Sequence, residues 1–337
     1  MFKDYIVIYE NIFGYGRSGV YPAPTYLSIN ILRIIKYFMH NNIRTYLVTG
    51  GAGFIGSNLV DELINQGHRV MIIDNLSTGK KENINQSAQF INADIRNLEE
   101  IKPYFNGADG VFHVAALPRV QLSIENPVES NDINVNGTIN VLVAAKDAKV
   151  KRVVYSASSS AYGNSEILPL KEDMMPCAMS PYGLQKYIGE EYCRIFSLLY
   201  GLETVNLRYF NAYGPRMADT GAYLTVIKNF LMQKARGEAM TITGDGEQTR
   251  DFTHVRDIVR ANIKAMDSQK AGKGESINIG AGKNHSVNQI AAIIGGSYSH
   301  IPPRVEPKHT LADISKAKEL LDWEPQEDLE EAIKELT

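Results

Sequence analysis

The stretch TYLVTGGAGFIG, Thr45 to Gly56, decides how the fold begins. Thr45 to Thr49 is a short apolar run, which predicts a buried strand. Gly50, Gly53 and Gly56 follow at intervals of three. Ser57 to Gln66 then places Leu59, Val60 and Leu63 on one helical face. Glycine permits a sharp turn and lets backbone approach a pyrophosphate closely. The helix amino end offers free N–H groups and a positive dipole to that anion. A glycine triplet alone is weak evidence, but between a strand and a helix it predicts a dinucleotide loop.

Working outward, a second strand, Arg69 to Ile73, ends at Asp74. A carboxylate there can accept from both ribose hydroxyls of the adenosine half and would repel a 2′-phosphate. NAD is therefore predicted over NADP. A plain turn Asp is the alternative, and the glycine loop favours the cofactor role. Asp94, after a third strand at Gln89 to Asn92, is placed to meet the adenine amino group or to start a turn. Further strands are predicted at Gly110 to Ala115, Arg152 to Ser156 and Glu203 to Arg208. Between them lie helices at Val128 to Ala148 and Tyr182 to Leu199. This alternation predicts an α/β fold, a Rossmann-type doubly wound parallel sheet covered on both faces.

After Gly214 the order loosens. Helices are predicted at Ala222 to Ala235, Val255 to Met266 and Val287 to Ile294, with strands at Met240 to Thr243 and Ser276 to Ile279. The expected organisation has three parts. Residues 1–43 form an amino-terminal extension carrying no chemistry, with Met39 as an alternative start. Residues 44–213 form the NAD-binding domain, to which some later segments return. Residues 214–337 form mainly a smaller mixed α/β domain for substrate.

Bulk composition narrows the function. The 337 residues carry a formal net charge of −3, with 44% hydrophobic and 22% charged residues. That fits a globular protein with a sizeable core and argues against a polybasic nucleic-acid surface. Cys177 and Cys193 are too few for a disulfide framework and lack metal-ligand spacing. No metal is expected, and a reducing cytoplasm is the expected compartment. Leu27 to Met39 contains Arg33 and Lys36 and falls short of the ~20 apolar residues of a membrane span. It also lacks the cleavage site of a signal peptide.

Tyr182 and Lys186 are one helical turn apart, so phenol and ammonium share a face. A free Tyr, with a pKa of about 10, is a poor base at neutral pH. A nearby ammonium and a positive nicotinamide ring would favour the phenolate. The Lys can also hold the nicotinamide ribose. A hydroxyl from the run Ser156, Ser158, Ser159 and Ser160 could extend the proton path, and the residues alone leave open which one.

These segments resemble the extended short-chain dehydrogenase/reductase family, within it the NAD-dependent epimerases and dehydratases, and especially the UDP-glucose and UDP-N-acetylglucosamine 4-epimerases. The resemblance covers about Arg44 to Glu335. It rests on TGGAGFIGSN at Thr49, DNLSTGK at Asp74, HVAALPRVQLSIENP at His113 and NVNGT at Asn134. SPYGLQKYIGE at Ser180, LRYFNAYGPR at Leu207, GDGEQTRDFTHVRD at Gly244 and ADISKAKELL at Ala312 continue it. It implies Tyr182 as acid–base, Ser158 as the catalytic hydroxyl and Lys186 as their partner. It implies NAD contacts from Gly50, Gly53, Phe54, Ile55, Gly56, Asp74, Asn75, Asp94, Ile95, Ala115, Ala116, Leu117 and Asn134, besides Tyr182 and Lys186. It places Arg119, Val120, Ser123 and Ser158 at the sugar and Val226 at the uridine. Asn211 falls at the diphosphate, and Arg250 and Arg304 match the family's UDP-binding arginines. Dimerisation through Val128–Ala148 and Tyr182–Leu199 is implied as well.

The chain departs from the pattern where relatives carry an aromatic residue before GDG, which is Thr243 here. The segment from Arg304 to Asp313, with Glu306, is about one residue short. Related dehydratases and decarboxylases place a carboxylate where this chain has Ser159 and Ser160, which favours plain 4-epimerisation. Thr310 stands where some relatives have a bulky Tyr, so an N-acetyl group should fit. A UDP-glucuronate 4-epimerase, or another nucleotide-sugar epimerase/dehydratase, is the alternative. From another class, the alternative is a non-catalytic NAD-binding sensor or scaffold.

Overall fold

The computed structural model describes residues 43–118, 120–218, 224–303 and 307–337. Arg119, Arg304, Glu306, Ala222 and the segment before Ile43, with the roles expected of them, lie outside the described residues. The unit considered is Arg44–Thr337.

Thr45–Thr49 forms β1, Arg69–Ile73 β2, Gln89–Ile91 β3 and Gly110–His113 β4. Arg152–Ser158 forms β5 and Glu203–Tyr209 β6, with Ala212–Tyr213 as β7. Met240–Thr243, Thr249–Asp251 and Thr253–His254 are β8, β9 and β10. Lys273–Ile279, Asn284–Ser286 and Tyr298–Ile301 are β11, β12 and β13. Seven strands form one sheet in the order β11-β6-β5-β4-β1-β2-β3. Every pairing in it is parallel. Strand order reverses between β1 and β4, so the crevice beyond their carboxyl ends is the expected ligand position.

Phe54–Asn65 is α1, Val120–Glu125 α2, Pro127–Asn131 α3 and Gly137–Asp147 α4. Pro181–Tyr200 is α5 and Val226–Ala235 α6. Val255–Asp267 is α7, Val287–Ile294 α8, Ser315–Leu321 α9 and Leu329–Lys334 α10. One sheet face packs Leu59, Val60 and Leu63 of α1 against Val255, Ile258 and Val259 of α7. The other packs Val141 and Leu142 of α4 with Cys193 and Phe196 of α5. Each large aliphatic side chain so buried contributes roughly 1.5–3 kcal/mol. A separate core of Tyr213, Phe230, Ile242, Phe252, Val287 and Ile290 unites the later segments.

Two expectations about helices need correction. α1 starts at Phe54, before Gly56, because the loop needs glycine packed against it and this outweighs glycine's poor helix propensity. The helix expected at 128–148 is broken by a π-helical turn, Asp132–Asn136. The wider turn carries Asn134 inward, where its side chain meets Leu117 and Gln185.

Candidate active site

The glycine loop is tightly built. Gly50 has φ +74, the left-handed region that favours glycine. Gly53 caps α1 with no side chain, so its first-turn amides keep the orientation that suits an anion. Asp74, 9% exposed, accepts from the amides of Ala52 at 3.0 Å and Leu76 at 2.8 Å. Burial raises its pKa, and these amides oppose the rise. Two of its four acceptor positions remain for a ribose. Amide-rimmed loop and spare carboxylate lone pairs together fit a dinucleotide.

Around this loop several sequence-assigned residues act through neighbours. Asn134, 1% exposed, accepts from the Leu117 amide at 2.7 Å and donates to its carbonyl at 3.2 Å. It thus shapes the Ala115–Ala116–Leu117 loop from behind. The Asp94 carboxylate accepts from Arg96 through Nε at 3.0 Å and Nη2 at 2.8 Å, and from Asn75 at 2.8 Å. The Arg96 guanidinium holds it at about 2. Ile95 is buried in the core, against Gly137 of α4. Phe54 and Ile55 are partly buried beside α1's own cluster. His113 links Thr49 at 2.7 Å to Thr138 at 2.9 Å. Burial, with Lys186 adding, pushes its pKa down to about 3, so it is neutral.

Ser180 caps α5 by accepting from the Gly183 amide at 3.1 Å, Pro181 supplies the first turn, and Gly201 ends the helix in the left-handed conformation. Gly189 lets α5 lie close to β5, since a Cβ there would meet the Tyr155 hydroxyl at 2.2 Å. The buried face carries Lys186, 3% exposed, whose ammonium donates to the Ser156 carbonyl at 2.7 Å. It also lies 4.9 Å from the Tyr155 ring centroid. Burial lowers its pKa to about 8.

Ser158, at the end of β5, stands beside the Tyr182 phenol and lowers its pKa. Ser158 in turn lies 2.6 Å from the Ser160 hydroxyl. The expectation that Lys186 lowers the phenol is not met in the protein alone. Burial pushes Tyr182 up to about 12, and only Ser158 opposes it. Ser123 is fully buried and accepts from the Tyr182 amide at 3.0 Å. Val120 is exposed at the start of α2.

A cavity of about 280 Å³ opens among the later segments, lined by Asn211, Val226, Thr243, Gln248, Arg250 and Phe252, among others. Arg250 donates to the carbonyls of Thr249 at 2.9 Å and Lys308 at 3.3 Å. The neighbouring Asp251 is spent elsewhere, accepting from the amides of Ala281, Gly282 and Ala312. Asn211, at φ +31, donates to the Asp251 carbonyl at 2.9 Å and to Thr310 at 3.3 Å. Thr310, 8% exposed, therefore supports Asn211 at the cavity wall. Sequence reasoning missed Arg96, Gln185, Glu190 and Arg208. Each is a polar residue whose partner is distant or unexpected, and none had a local signal.

The profile of the NAD dependent epimerase/dehydratase family matches residues 46–280. The chain belongs to that family. A putative UDP-glucose 4-epimerase of Methanocaldococcus jannaschii is 44% identical over 86% of this chain and 95% of its own length. The crystal structure of a Thermotoga maritima UDP-glucose 4-epimerase with UDP-glucose is 40% identical, with a TM-score of 0.82. It covers 86% of this chain and 96% of that one. A Methanobrevibacter ruminantium UDP-N-acetylglucosamine 4-epimerase, in complex with UDP-N-acetylmuramic acid, is 38% identical at TM-score 0.83. That match covers 87% of this chain and 96% of that one. Relatives named UDP-glucuronic acid decarboxylase also belong to this circle. As a member of the epimerase/dehydratase family this protein is an NAD-dependent nucleotide-sugar enzyme of the isomerase class. Among the described residues no helix is long and apolar enough to cross a membrane.

Proposed function

We propose that the protein is a UDP-hexose 4-epimerase acting on UDP-glucose/UDP-galactose and also on UDP-N-acetylglucosamine/UDP-N-acetylgalactosamine. The observation that carries this is the placing of Ser158 beside the Tyr182 phenol, whose pKa it lowers, one helical turn from the buried ammonium of Lys186. In this reading Tyr182 takes the proton from the sugar's 4-hydroxyl and Ser158 hydrogen-bonds that oxygen. NAD, when bound, accepts and returns the hydride at carbon 4. A transient 4-keto sugar turns over in the site, and Tyr182 gives the proton back on the other face. Lys186 holds the nicotinamide ribose, and the positive nicotinamide ring then favours the phenolate. Phe54 to Gly56 and Asp74 bind the dinucleotide. Asn211 and Arg250, with Arg304, hold the diphosphate, a task suited to a guanidinium fork. In the proposed division, 44–213 binds NAD and 214–337 mainly binds the nucleotide-sugar.

Ser159 and Ser160 support epimerisation over decarboxylation or dehydration. Ser160 is already paired with Ser158, and a hydroxyl is a poor substitute for a carboxylic acid in proton transfer. The test is incubation of the protein with a panel of nucleotide-sugars, read by NMR for inversion at carbon 4. Inversion of UDP-glucose is expected. Retained NAD with no turnover of any sugar would favour the sensor reading instead.

Two expectations accompany this reading. Thr310→Tyr should raise KM for the acetylated sugar about tenfold or more, with little change for UDP-glucose, as one misplaced bulky group costs 1–3 kcal/mol. Thr310→Val removes the hydroxyl at constant size and should treat both sugars alike. Steady-state kinetics on both substrates decides, and equal loss in Thr310→Tyr refutes the size argument. The second concerns assembly. Leu184 and Leu198 of α5 and Val128 of α3 are large apolar side chains exposed at 50%, 72% and 84%. We take the surface carrying them as the homodimer face. Leu184→Asp should shift the protein to monomer in light scattering, and a wild type already monomeric removes the idea.

A further inference from the structure

We propose that Glu190, Arg208 and Tyr162 form a positioning clamp that holds the Ser158 turn against the Tyr182–Lys186 face of α5. The inference rests on the functional reading above. Glu190 follows Lys186 by one more helical turn, so Tyr182, Lys186 and Glu190 form one row. Its carboxylate accepts from Arg208 through Nε at 2.9 and 3.1 Å and through Nη2 at 2.6 Å. Ser276 adds a hydroxyl at 2.8 Å. On its other side the Arg208 guanidinium lies 4.7 Å from the centroid of the Tyr162 ring. Tyr162 closes the 3-10 turn Ser159–Tyr162, which Ser158 itself caps. Its phenol is tied to Asn278 at 2.7 Å. One side chain of β6 thus touches both the helix carrying Tyr182 and the turn carrying Ser158.

Stability alone is a poor reason for this arrangement. Glu190 and Arg208 are 2% and 3% exposed. A buried ion pair gains little over well-packed apolar residues, because both charges are taken from water. Arg208 also keeps one nitrogen, Nη1, without a hydrogen-bond partner among the described residues. A planar fork that grips a carboxylate while lying on an aromatic face does suit a clamp, and Lys cannot copy it.

The same pair bears on Lys186. Around it stand Tyr182, Glu190 and Cys193 of α5, Tyr155 of β5 and His113 of β4, with Arg208 of β6 reaching Glu190. Burial keeps the His113 imidazole and the Cys193 thiol neutral. Among these described groups Glu190 is the carboxylate, and it is ion-paired with Arg208. It favours the ammonium, which burial opposes. Without Glu190, Lys186 loses its proton at lower pH.

The test uses Arg208→Lys, Glu190→Gln and the double variant Glu190→Gln/Arg208→Gln, which removes both charges of the Glu190–Arg208 pair together. Each is compared with wild type for melting temperature, kcat and KM across pH. Tyr182 ionisation is followed by phenolate absorbance of the NAD-free protein, referenced to Tyr182→Phe. Arg208→Lys should lose about 100-fold in kcat with KM unchanged, the scale of a small misplacement. In Glu190→Gln the alkaline limb of kcat should move down by about one pH unit. The double variant should melt near wild type yet keep a low kcat, and its Tyr182 should ionise at higher pH as the Ser158 contact loosens. A double variant with wild-type kcat, alkaline limb and phenolate titration overturns the clamp. A wild type that turns over no nucleotide-sugar overturns the functional reading instead, and the phenolate titration then judges the clamp by itself.

Discussion

Tyr182→Phe is expected to lower the rate of inversion at carbon 4 by roughly 10²–10⁴-fold, the usual range for loss of a general acid–base group, while NAD binding persists. The ring is kept, so the packing at the start of α5 survives. The loop from Gly50 to Gly56 and the Asp74 carboxylate do not depend on the phenol. The expectation has a physical difficulty that sharpens it. In the protein alone, burial pushes Tyr182 to about 12, the wrong direction for a base near neutrality. Each unit costs about 1.4 kcal/mol. Ser158 lowers the phenol, and the remaining help must come from positive charge brought close when the dinucleotide binds. The phenolate of wild type should therefore form at lower pH with NAD than without it, and Tyr182→Phe should erase that difference. NMR assays of inversion, beside absorbance ratios for bound NAD, make the comparison. Undiminished inversion in the variant would remove Tyr182 from the mechanism.

The second large effect is expected at Gly56. A Cβ placed there would stand 2.2 Å from the Gly50 carbonyl oxygen, 2.8 Å from its carbon and 3.0 Å from the Gly51 Cα. All three atoms are backbone, so no side chain can swing aside. Gly56→Ala must spread the loop from α1, at a cost of about 1–3 kcal/mol in overpacking. The same movement takes the amino end of α1 away from the pyrophosphate position. NAD affinity should fall about 100-fold, corresponding to about 2.7 kcal/mol. Gly53→Ala is a graded comparison, because its nearest neighbour would be the Gly50 oxygen at 3.2 Å. It should melt closer to wild type than Gly56→Ala does. Calorimetric titration with NAD and thermal melts distinguish the two. Wild-type NAD affinity in Gly56→Ala would show that the loop tolerates a wider turn than its geometry suggests.

The strands Thr45–Thr49 and Arg69–Ile73 and the helix Val287–Ile294 are found at the residues expected from the sequence. Their signals are local: apolar runs, and for α8 a helical period with a Ser286 capping box. The start of α1 was less legible because Gly56 disguised a helical turn as loop. The π turn at Asp132–Asn136 left no periodic trace, since one wide turn barely disturbs the apolar pattern. Ser123 and Asn134 hold backbone at Tyr182 and Leu117, 59 and 17 residues away, contacts that no local pattern announces. A buried polar side chain must find a partner, but sequence does not say which.

By itself, the order of residues determined the glycine loop, the carboxylate at the end of β2 and the shared helical face of Tyr182 and Lys186. Those depend on neighbours a few positions apart, where backbone geometry leaves few choices. Only the tertiary structure decided that Ser158 meets Tyr182 and that Arg208 joins Glu190 to Tyr162. The Ser158 and Arg208 pairings require β5, β6 and α5 to pack side by side. Burial then removes water as a competing partner, so each polar group takes whatever the fold brings within reach.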